Sequence, residues 1–457
     1  MYIQQLYTNC LAHAAYYVES DGEALVIDPL RDPEPYLQLA RERKASIRYI
    51  LETHFHADFV SGHLDLAKKT GASIILGPDA NPGYDAVIAS DHQIFPLGEV
   101  EFEVLHTPGH TIESACFLLY DEKGKPHCLF SGDTLFVNEV GRPDLMSGSL
   151  SKEELGGLLY HSLNDVIKNL PDDVIVYPGH GAGSACGKNI GKETFSTIGE
   201  QKKTNYALQA STKEAFVHAV ASDLPTPPDY FFKAAALNKG GYASYDDVME
   251  HNFHALDVNV FAEEMKKGTT VLDTRAPGDF CKAFIPDALN IGIDGDFAVW
   301  AGTIIRPGTR LLLVTEPGRE REAITRLSRI GFDQVAGFLE GGIESWVIAN
   351  KKTDSIPSVE PEVLPQLVAS GKYVLLDVRR PAEVEKEKLK GSVHIALSAL
   401  RTALRELDAN EQWLVYCAGG YRSVMAASLL KANGFKNVVN ISGGITHVKQ
   451  KAPELVV

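Results

Sequence analysis

The sequence predicts an α/β protein built from three domains, and three observations carry that reading. The chain has 457 residues, about three domains at roughly 150 residues each. Over the first 240 residues, short β-rich apolar runs alternate with helical patterns. The remainder repeats itself at an interval of about 100 residues, too few copies for a solenoid and the right number for tandem homologous α/β domains.

The apolar runs span 24–29, 49–54, 73–77, 102–109, 115–121, 128–133 and 174–181, and each stops at Gly, Pro, Asp or His, the punctuation that ends buried strands. Helical periodicity appears at 63–71, closing on Gly71, and at 153–170. "LPTPPDYFFK" (224–233) reads as a Pro-rich junction and the start of a linker. In the repeat, "VLDTRAPGDF" (271–280) recurs as "LLDVRRPAEV" (375–384), and "IGFDQVAGFLEGGIESW" (330–346) as "NGFKNVVNISGGITHV" (433–448). "KKTDSIPSVEPE" (351–362) is polar, contains Pro357 and Pro361, and should link the copies. The expected domains are 1–240, 255–350 and 361–457.

Composition narrows the partners. Lys and Arg total 44 against 60 Asp and Glu, a formal net charge of −16, which argues against nucleic acid or an anionic membrane surface. No apolar run approaches the ~18 residues of a membrane span, and no basic segment precedes an apolar stretch at the N-terminus, so no signal peptide is expected. The six cysteines (10, 116, 128, 186, 281 and 417) are scattered without a CxxC. That is too sparse for a disulfide framework and points to a reducing cytoplasm. Cys10, Cys116 and Cys128 fall in or beside apolar strands and are expected in the core; Cys281 is expected to be structural.

The chemistry-bearing residues gather at strand exits. "THFHADF" puts His54, His56 and Asp58 just past an apolar run. His110 in "TPGHT", Asp133 in "FSGDT" and His180 in "YPGHG" do the same. In an α/β sheet, strand ends and their loops collect at one edge, where sites are built. A lone histidine there is ordinarily solvated or satisfied. Six His and Asp residues, all at strand exits in Gly-rich loops, point to a metal. Imidazoles plus a carboxylate suit Zn or Fe(II), and the residues leave the two open.

This pattern resembles the metallo-β-lactamase superfamily, an αββα sandwich, over roughly residues 1–240. In its two-metal members a histidine after the motif aspartate ligates the second ion. Here that position is Phe59, whose ring has no lone pair, which favours one metal. "THFHADFVSGH", "TPGHT", "SGDTLFVNEVGRPDL" and "YPGHGAGSACGKN" look like the persulfide dioxygenase branch, although many of its members keep a histidine at the Phe59 position. The resemblance implies one Fe(II) per chain on His54, His110 and Asp133. His56, Asp58 and His180 then orient the ligands. It also implies the reaction RSSH + O2 + H2O to RSH and sulfite. Arg142 matches a position that contacts the thiol carrier's carboxylate; a surface pair with Asp144 is the alternative. Cys186, in a Gly-rich loop six residues past His180, is a candidate substrate contact, weighed against a buried loop cysteine.

"VYCAGGYRS" sets Cys417 at a Gly-rich turn that opens a helix, facing several backbone N–H groups. These groups, the helix dipole and Arg422 favour a thiolate. The loop, with Asp377 and the "SGGI" turn, resembles rhodanese sulfurtransferases over about 360–457. The resemblance implies that Cys417 carries sulfane sulfur as a persulfide and passes it to sulfite, giving thiosulfate, with Arg422 and Ser423 binding the oxyanion. In the first copy Glu316 stands at the Cys417 position, so that copy is expected to be catalytically inactive. A zinc-dependent thioester hydrolase of the glyoxalase II type, carrying sulfur-carrier domains, is the competing reading. The thiol carrier and homo-oligomerisation are left open.

Overall fold

The computed structural model describes residues 1–145, 150–222, 224 and 226–457. It forms two compact units: Met1–Val248 with Ser328–Gly331, and Met249–Leu327 with Phe332–Val457.

The first unit holds two six-stranded sheets. One runs in order from β1 (Tyr2–Thr8), β2 (His13–Ser20), β3 (Glu23–Ile27), β4 (Ser46–Glu52) and β5 (Ser73–Leu76) to β6 (Val87–Ile88). The other comprises β7 (Ile94–Leu97), β8 (Val100–His106), β9 (Ala115–Tyr120), β10 (Pro126–Gly132), β11 (Ile175–Pro178) and β12 (Ser196–Thr197), also in sequence order. The period-two alternation of β2 shows how residues choose a face. Ala14, Tyr16 and Val18 enter the core between the sheets with Phe102, Val104, Phe117 and Phe130. Ala15 and Tyr17 point the other way, onto Tyr36, Ala40 and Leu66 of the helices Glu34–Arg43 and His63–Thr70. The outer face of the second sheet is covered by the helix Lys152–His161, through Leu159. The result is the expected αββα sandwich. Each fully buried Leu or Phe contributes about 1.5–3 kcal/mol.

The helix Lys152–His161 starts on a capping box between Ser151 and Glu154. It also shapes the site. Gly109 (φ 145) lies so close to this helix that a Cβ there would sit 2.4 Å from Leu159 Cα, which lets the "TPGHT" loop lie flat and present His110.

The second unit contains two parallel five-stranded sheets. The first takes β13 (Ala255–Leu256), β14 (Thr270–Asp273), β15 (Leu289–Asn290), β16 (Leu311–Val314) and β17 (Val335–Leu339) in the order 13-17-16-14-15. The second takes β18 (Ser358–Val359), β19 (Tyr373–Asp377), β20 (Val393–His394), β21 (Gln412–Tyr416) and β22 (Val438–Ile441) in the order 18-22-21-19-20. The sequence repeat is therefore a topological repeat.

Three expectations need correction. The segment 224–233 is not simply a linker. Pro225 lies outside the described residues, but a helix runs over Tyr230–Gly240 and buries Tyr230, Phe231 and Ala234. The segment 351–362 is also built into the fold. Its Asp354 pairs with Phe284, the Ile356 N–H donates to the Cys281 carbonyl at 3.0 Å, and Ser358–Val359 is an edge strand. Prolines hid the first, because they precede the helix directly, and polar composition hid the second, whose backbone groups bond to Phe284 and Cys281 far back in the chain. Finally, Cys10 sits half-exposed in the 3-10 turn Asn9–Leu11, outside the core, whereas Cys116 and Cys128 are buried.

Candidate metal centre

Five strand exits of the first unit supply the site. β3 ends at Asp28, β4 at Thr53 and His54, β8 runs into the His110 loop, β10 ends at Asp133 and β11 at His180. His54, His110 and Asp133 are buried and bring donor atoms together. Asp133 Oδ2 lies 3.5 Å from His110 Nε2 and 3.9 Å from His54 Nε2. Such spacings suit ligands at about 2.0–2.2 Å around a shared ion. Oδ2 is buried without a hydrogen-bond partner, an orphan that a cation between the three residues would satisfy.

Each ligand is held by its other atom. Thr53 Oγ1 donates to Asp28 Oδ2 at 2.8 Å and accepts from His54 Nδ1 at 3.0 Å. The His110 Nδ1–H donates to the Arg142 carbonyl at 2.8 Å. Both imidazoles therefore keep the Nε2 lone pair for a metal. Burial and the neighbouring His56 push the His54 imidazolium well below its ordinary pKa, so the ring is neutral. Asp133 Oδ1 accepts from His180 Nδ1 at 2.7 Å, while His180 Nε2 donates to Asp58 Oδ2 at 2.8 Å. Burial would lower the His180 pKa, but the two carboxylates outweigh it and raise it well above the ordinary value. Burial would raise Asp133, but His180 outweighs that and holds it ionised. Two close approaches demand glycine. A Cβ on Gly141 would lie 2.0 Å from the Asp133 carbonyl oxygen, and one on Gly179 would lie 2.8 Å from Asp133 Oδ1.

His56 faces away from this trio. Its Nε2 is 3.1 Å from Asp28 Oδ1 and 3.7 Å from Glu52 Oε2. Burial opposes its charge, but Asp28 raises it to about 9. Phe59 is fully buried, its ring 4.3 Å from that of His56 and 4.2 Å from that of His13. It is an apolar plug in the motif loop. The loop itself is pinned by Asn238, whose Nδ2 donates to the carbonyls of His56 and Phe59, both at 2.7 Å, and whose Oδ1 accepts from Ser61 N.

Asp58, His180 and Cys186 form another buried donor group. Both His180 ring nitrogens are engaged by carboxylates, and burial followed by Asp58 and Asp133 raises the Cys186 thiol well above its ordinary value. Arg142 is also buried. It grips Asp144 through Nε at 2.6 Å and Nη2 at 2.7 Å, and donates to the Ala185 carbonyl at 3.2 Å. It braces the loop that carries the His110-binding carbonyl.

In the second unit Cys417 is buried at the N-terminus of the helix Tyr421–Ala432. The Gly420 N–H points to its sulfur at 3.1 Å, with Gly420 at φ 105. Ser423 lies behind it, its Oγ 3.6 Å from the sulfur and donating to Asn440 Oδ1 at 2.7 Å. Arg422 forms a two-pronged pair with Glu383, at 2.7 and 2.8 Å, which lowers the Glu383 carboxyl to about 2.

Asp28, Thr53, Asn238 and Glu383 were not singled out from the sequence. Asp28 had a signal, since "VIDP" ends a strand on aspartate as "FSGD" does; the others act through contacts with residues distant in the chain.

The αββα layers and the His/His/Asp cluster define a metal-site scaffold joined to paired five-stranded α/β domains. The comparisons agree with this geometry. The description "Metallo-beta-lactamase superfamily" fits residues 8–180, and "Rhodanese-like domain" fits residues 257–349 and 360–451. A metallo-beta-lactamase from Staphylococcus aureus subsp. aureus COL, known from a crystal structure, is 33% identical with TM-score 0.66, over 74% of this chain and 98% of that one. The human mitochondrial persulfide dioxygenase is 30% identical over 222 residues, 48% of this chain and 80% of the relative. A hydroxyacylglutathione hydrolase of Polaromonas sp. is 30% identical over 259 residues, 50% of this chain and 94% of the relative. The chain spans 62% and 60% of the length of two probable hydroxyacylglutathione hydrolases of Schizosaccharomyces pombe. The chain belongs to the metallo-beta-lactamase superfamily and carries two rhodanese-like domains. Its particular place is among the superfamily members homologous to the persulfide dioxygenase.

Proposed function

We propose that the chain oxidises low-molecular-weight thiol persulfides with O2 at one Fe(II) to sulfite and thiol, and that Cys417 carries sulfane sulfur to sulfite, giving thiosulfate. The observation that carries this reading is the way His180 is used. Its two ring nitrogens bond Asp133 Oδ1 and Asp58 Oδ2, so Asp133 offers one oxygen, Oδ2, toward His54 and His110. Two imidazoles and one carboxylate on one side of an ion is the arrangement that non-heme Fe(II) sites use with O2. Bound there, iron supplies the redox chemistry and open positions for substrate and O2.

The protein's share is orientation and charge. Thr53 and the Arg142 carbonyl fix which imidazole nitrogen faces the ion. His180 keeps Asp133 ionised. Phe59 packs against the rings of His13 and His56 and keeps that flank of the motif loop apolar. Cys186 stands beside this pocket as a proposed substrate contact. In the rhodanese-like copy, the Cys417 thiolate attacks the outer sulfur of a donor. The bond to the donor breaks, the donor leaves with the electron pair, and sulfite then takes the sulfur from the cysteine persulfide. Fusion places the first site's product at a raised local concentration for the second.

The second reading is a zinc thioester hydrolase, favoured by the match to the Polaromonas hydroxyacylglutathione hydrolase. One experiment separates the two. Metal analysis of the purified protein, with O2 uptake on glutathione persulfide, should give one iron per chain and uptake. In Asp133→Asn the iron should fall below about a tenth of an equivalent and uptake by at least ~100-fold. Two zinc ions with thioester cleavage and no uptake would replace the proposal by the alternative.

A further inference from the structure

We propose that the rhodanese-like copy without a counterpart of Cys417 is the seat of the other copy's active-site loop: Tyr421 docks on the Gly292–Gly295 turn, and this docking positions the Cys417 loop for sulfur transfer. The inference rests on the reading that Cys417 carries sulfur, and it assigns a task to a copy that lacks the nucleophile.

Tyr421 follows Gly420, the residue whose N–H faces the Cys417 sulfur. Its hydroxyl crosses to the first copy and donates to the Gly292 carbonyl at 2.6 Å. The ring lies on two glycines. A Cβ on Gly295 would stand 2.5 Å from Tyr421 Cζ, and one on Gly292 would stand 3.1 Å from Cε2. No side chain fits under the ring at position 295 without moving it. The repeat itself supplies a control. The Ile291 N–H donates to the Asp273 carbonyl as the Ile395 N–H does to Asp377, so Gly292 corresponds to Ala396, and counting on, Gly295 to Ala399. The copy that receives Tyr421 has glycine at both positions, whereas the copy that supplies it has alanine.

The turn is braced from beneath. Arg326 donates to the Ile293 carbonyl and, at 2.9 Å, to that of Gly295, while Arg319 pairs with Asp294 at 2.6 Å. Both arginines lie beside or within the helix Glu320–Ser328, the counterpart of the helix that follows Cys417. The inactive copy thus uses its own equivalent helix to hold the seat. Further along the helix Tyr421–Ala432, Ser428 Oγ accepts from Asn290 N at 2.9 Å and Lys431 pairs with Asp354 at 2.9 Å. At about 100° per residue, positions 421, 428 and 431 lie on one side. The helix is accordingly buried from Ser423 to Leu430 rather than on a single stripe, as expected for a helix packed on two sides. On its other flank Arg422 is held by Glu383 of its own copy.

Tyr421→Phe and Gly295→Val test this in the full-length protein. The readouts are the rate and pH profile of Cys417 alkylation by iodoacetamide, read by peptide mass spectrometry, and kcat and KM for thiosulfate-dependent sulfur transfer. Persulfide-dependent O2 uptake is the internal control. Tyr421→Phe should slow alkylation and lower kcat by about fivefold, and Gly295→Val by about tenfold or more, with KM changed less than kcat and O2 uptake unchanged. Alkylation rate, pH profile and kcat all within a factor of about 1.5 of wild type would overturn the proposal, as would a lowered melting temperature with Cys417 reactivity untouched. If Gly295→Val does not fold, Tyr421→Phe decides. A wild type that alkylates normally but transfers no sulfur would sink the transfer reading and leave the docking test intact.

Discussion

Asp273 in the first rhodanese-like copy accepts from the backbone N–H of Arg275 at 3.0 Å and from its guanidinium at 3.0 and 2.6 Å, and the same arginine caps the Ala283 carbonyl at 2.8 Å. Asp377 in the second copy accepts from Arg379 at 3.0, 2.9 and 2.6 Å, and Arg379 caps Glu387 at 2.7 Å. Sheet order matches as well. The loops do not match. Asp273 pairs with Val314 as Asp377 pairs with Tyr416, so the residue at the Cys417 position of the first copy is Thr315, one before the expected Glu316. Where Glu383 grips Arg422, its counterpart Asp279 pairs with the exposed Lys282, and Arg319, at the Arg422 position, pairs with Asp294 and Glu322. Breaking a buried ion pair costs about 3–5 kcal/mol, so the scaffold cannot lose it. Replacing a loop nucleophile costs little stability, so chemistry can be lost while the fold is kept.

The comparison breaks most decisively at the cysteine. Cys417→Ser should cut thiosulfate formation by more than about 10³-fold while sulfite release from persulfide continues, both followed by chromatography. Thr315→Cys should restore no transfer in that background, because the first copy has no counterpart of the Glu383–Arg422 pair. Joint loss of sulfite and thiosulfate in Cys417→Ser would defeat the two-site reading.

The shared skeleton offers the next test. Asp273→Asn and Asp377→Asn should each lower unfolding stability by about 3–5 kcal/mol in denaturant titrations. A cost in one copy alone would show that the copies are not equivalent scaffolds.

A smaller effect concerns acid. Arg422 depresses the Glu383 carboxyl to about 2 from an ordinary 4.5. A depressed folded-state value contributes stability above the unfolded value and loses it as pH falls from about 4.5 toward 2. Glu383→Gln should therefore flatten the acid limb of a melting curve, and Asp279→Asn should flatten it less.

The smallest effect is expected at Cys186, outside the repeat. Cys186→Ser should raise the KM for glutathione persulfide about two- to threefold with little change in kcat, a loss of binding common to ground and transition states. Unchanged affinity and turnover would dispose of its role as a substrate contact.

Much of this molecule was legible in order of residues alone. The strand runs, the αββα layering and the repeat follow from apolar periodicity, which is local. His54, His110 and Asp133 stood out because donor residues at strand exits have few other reasons to be there. The partners of those residues were not legible. Asn238 grips a loop about 180 positions earlier, from a helix whose approach looks like a linker. Arg142 can pair with Asp144 or reach a substrate, and composition does not choose.

The sequence by itself determined the element types, the duplicated domain and the donor set for a metal, because periodicity and residue chemistry are properties of short stretches. Only the tertiary structure decided that both nitrogens of His180 are bound by carboxylates, that His56 turns toward Asp28, and that Tyr421 rests on two glycines of the neighbouring copy. Those are choices among partners far apart in the chain, and they are settled by which buried polar groups and which bare backbones the packed layers bring within reach.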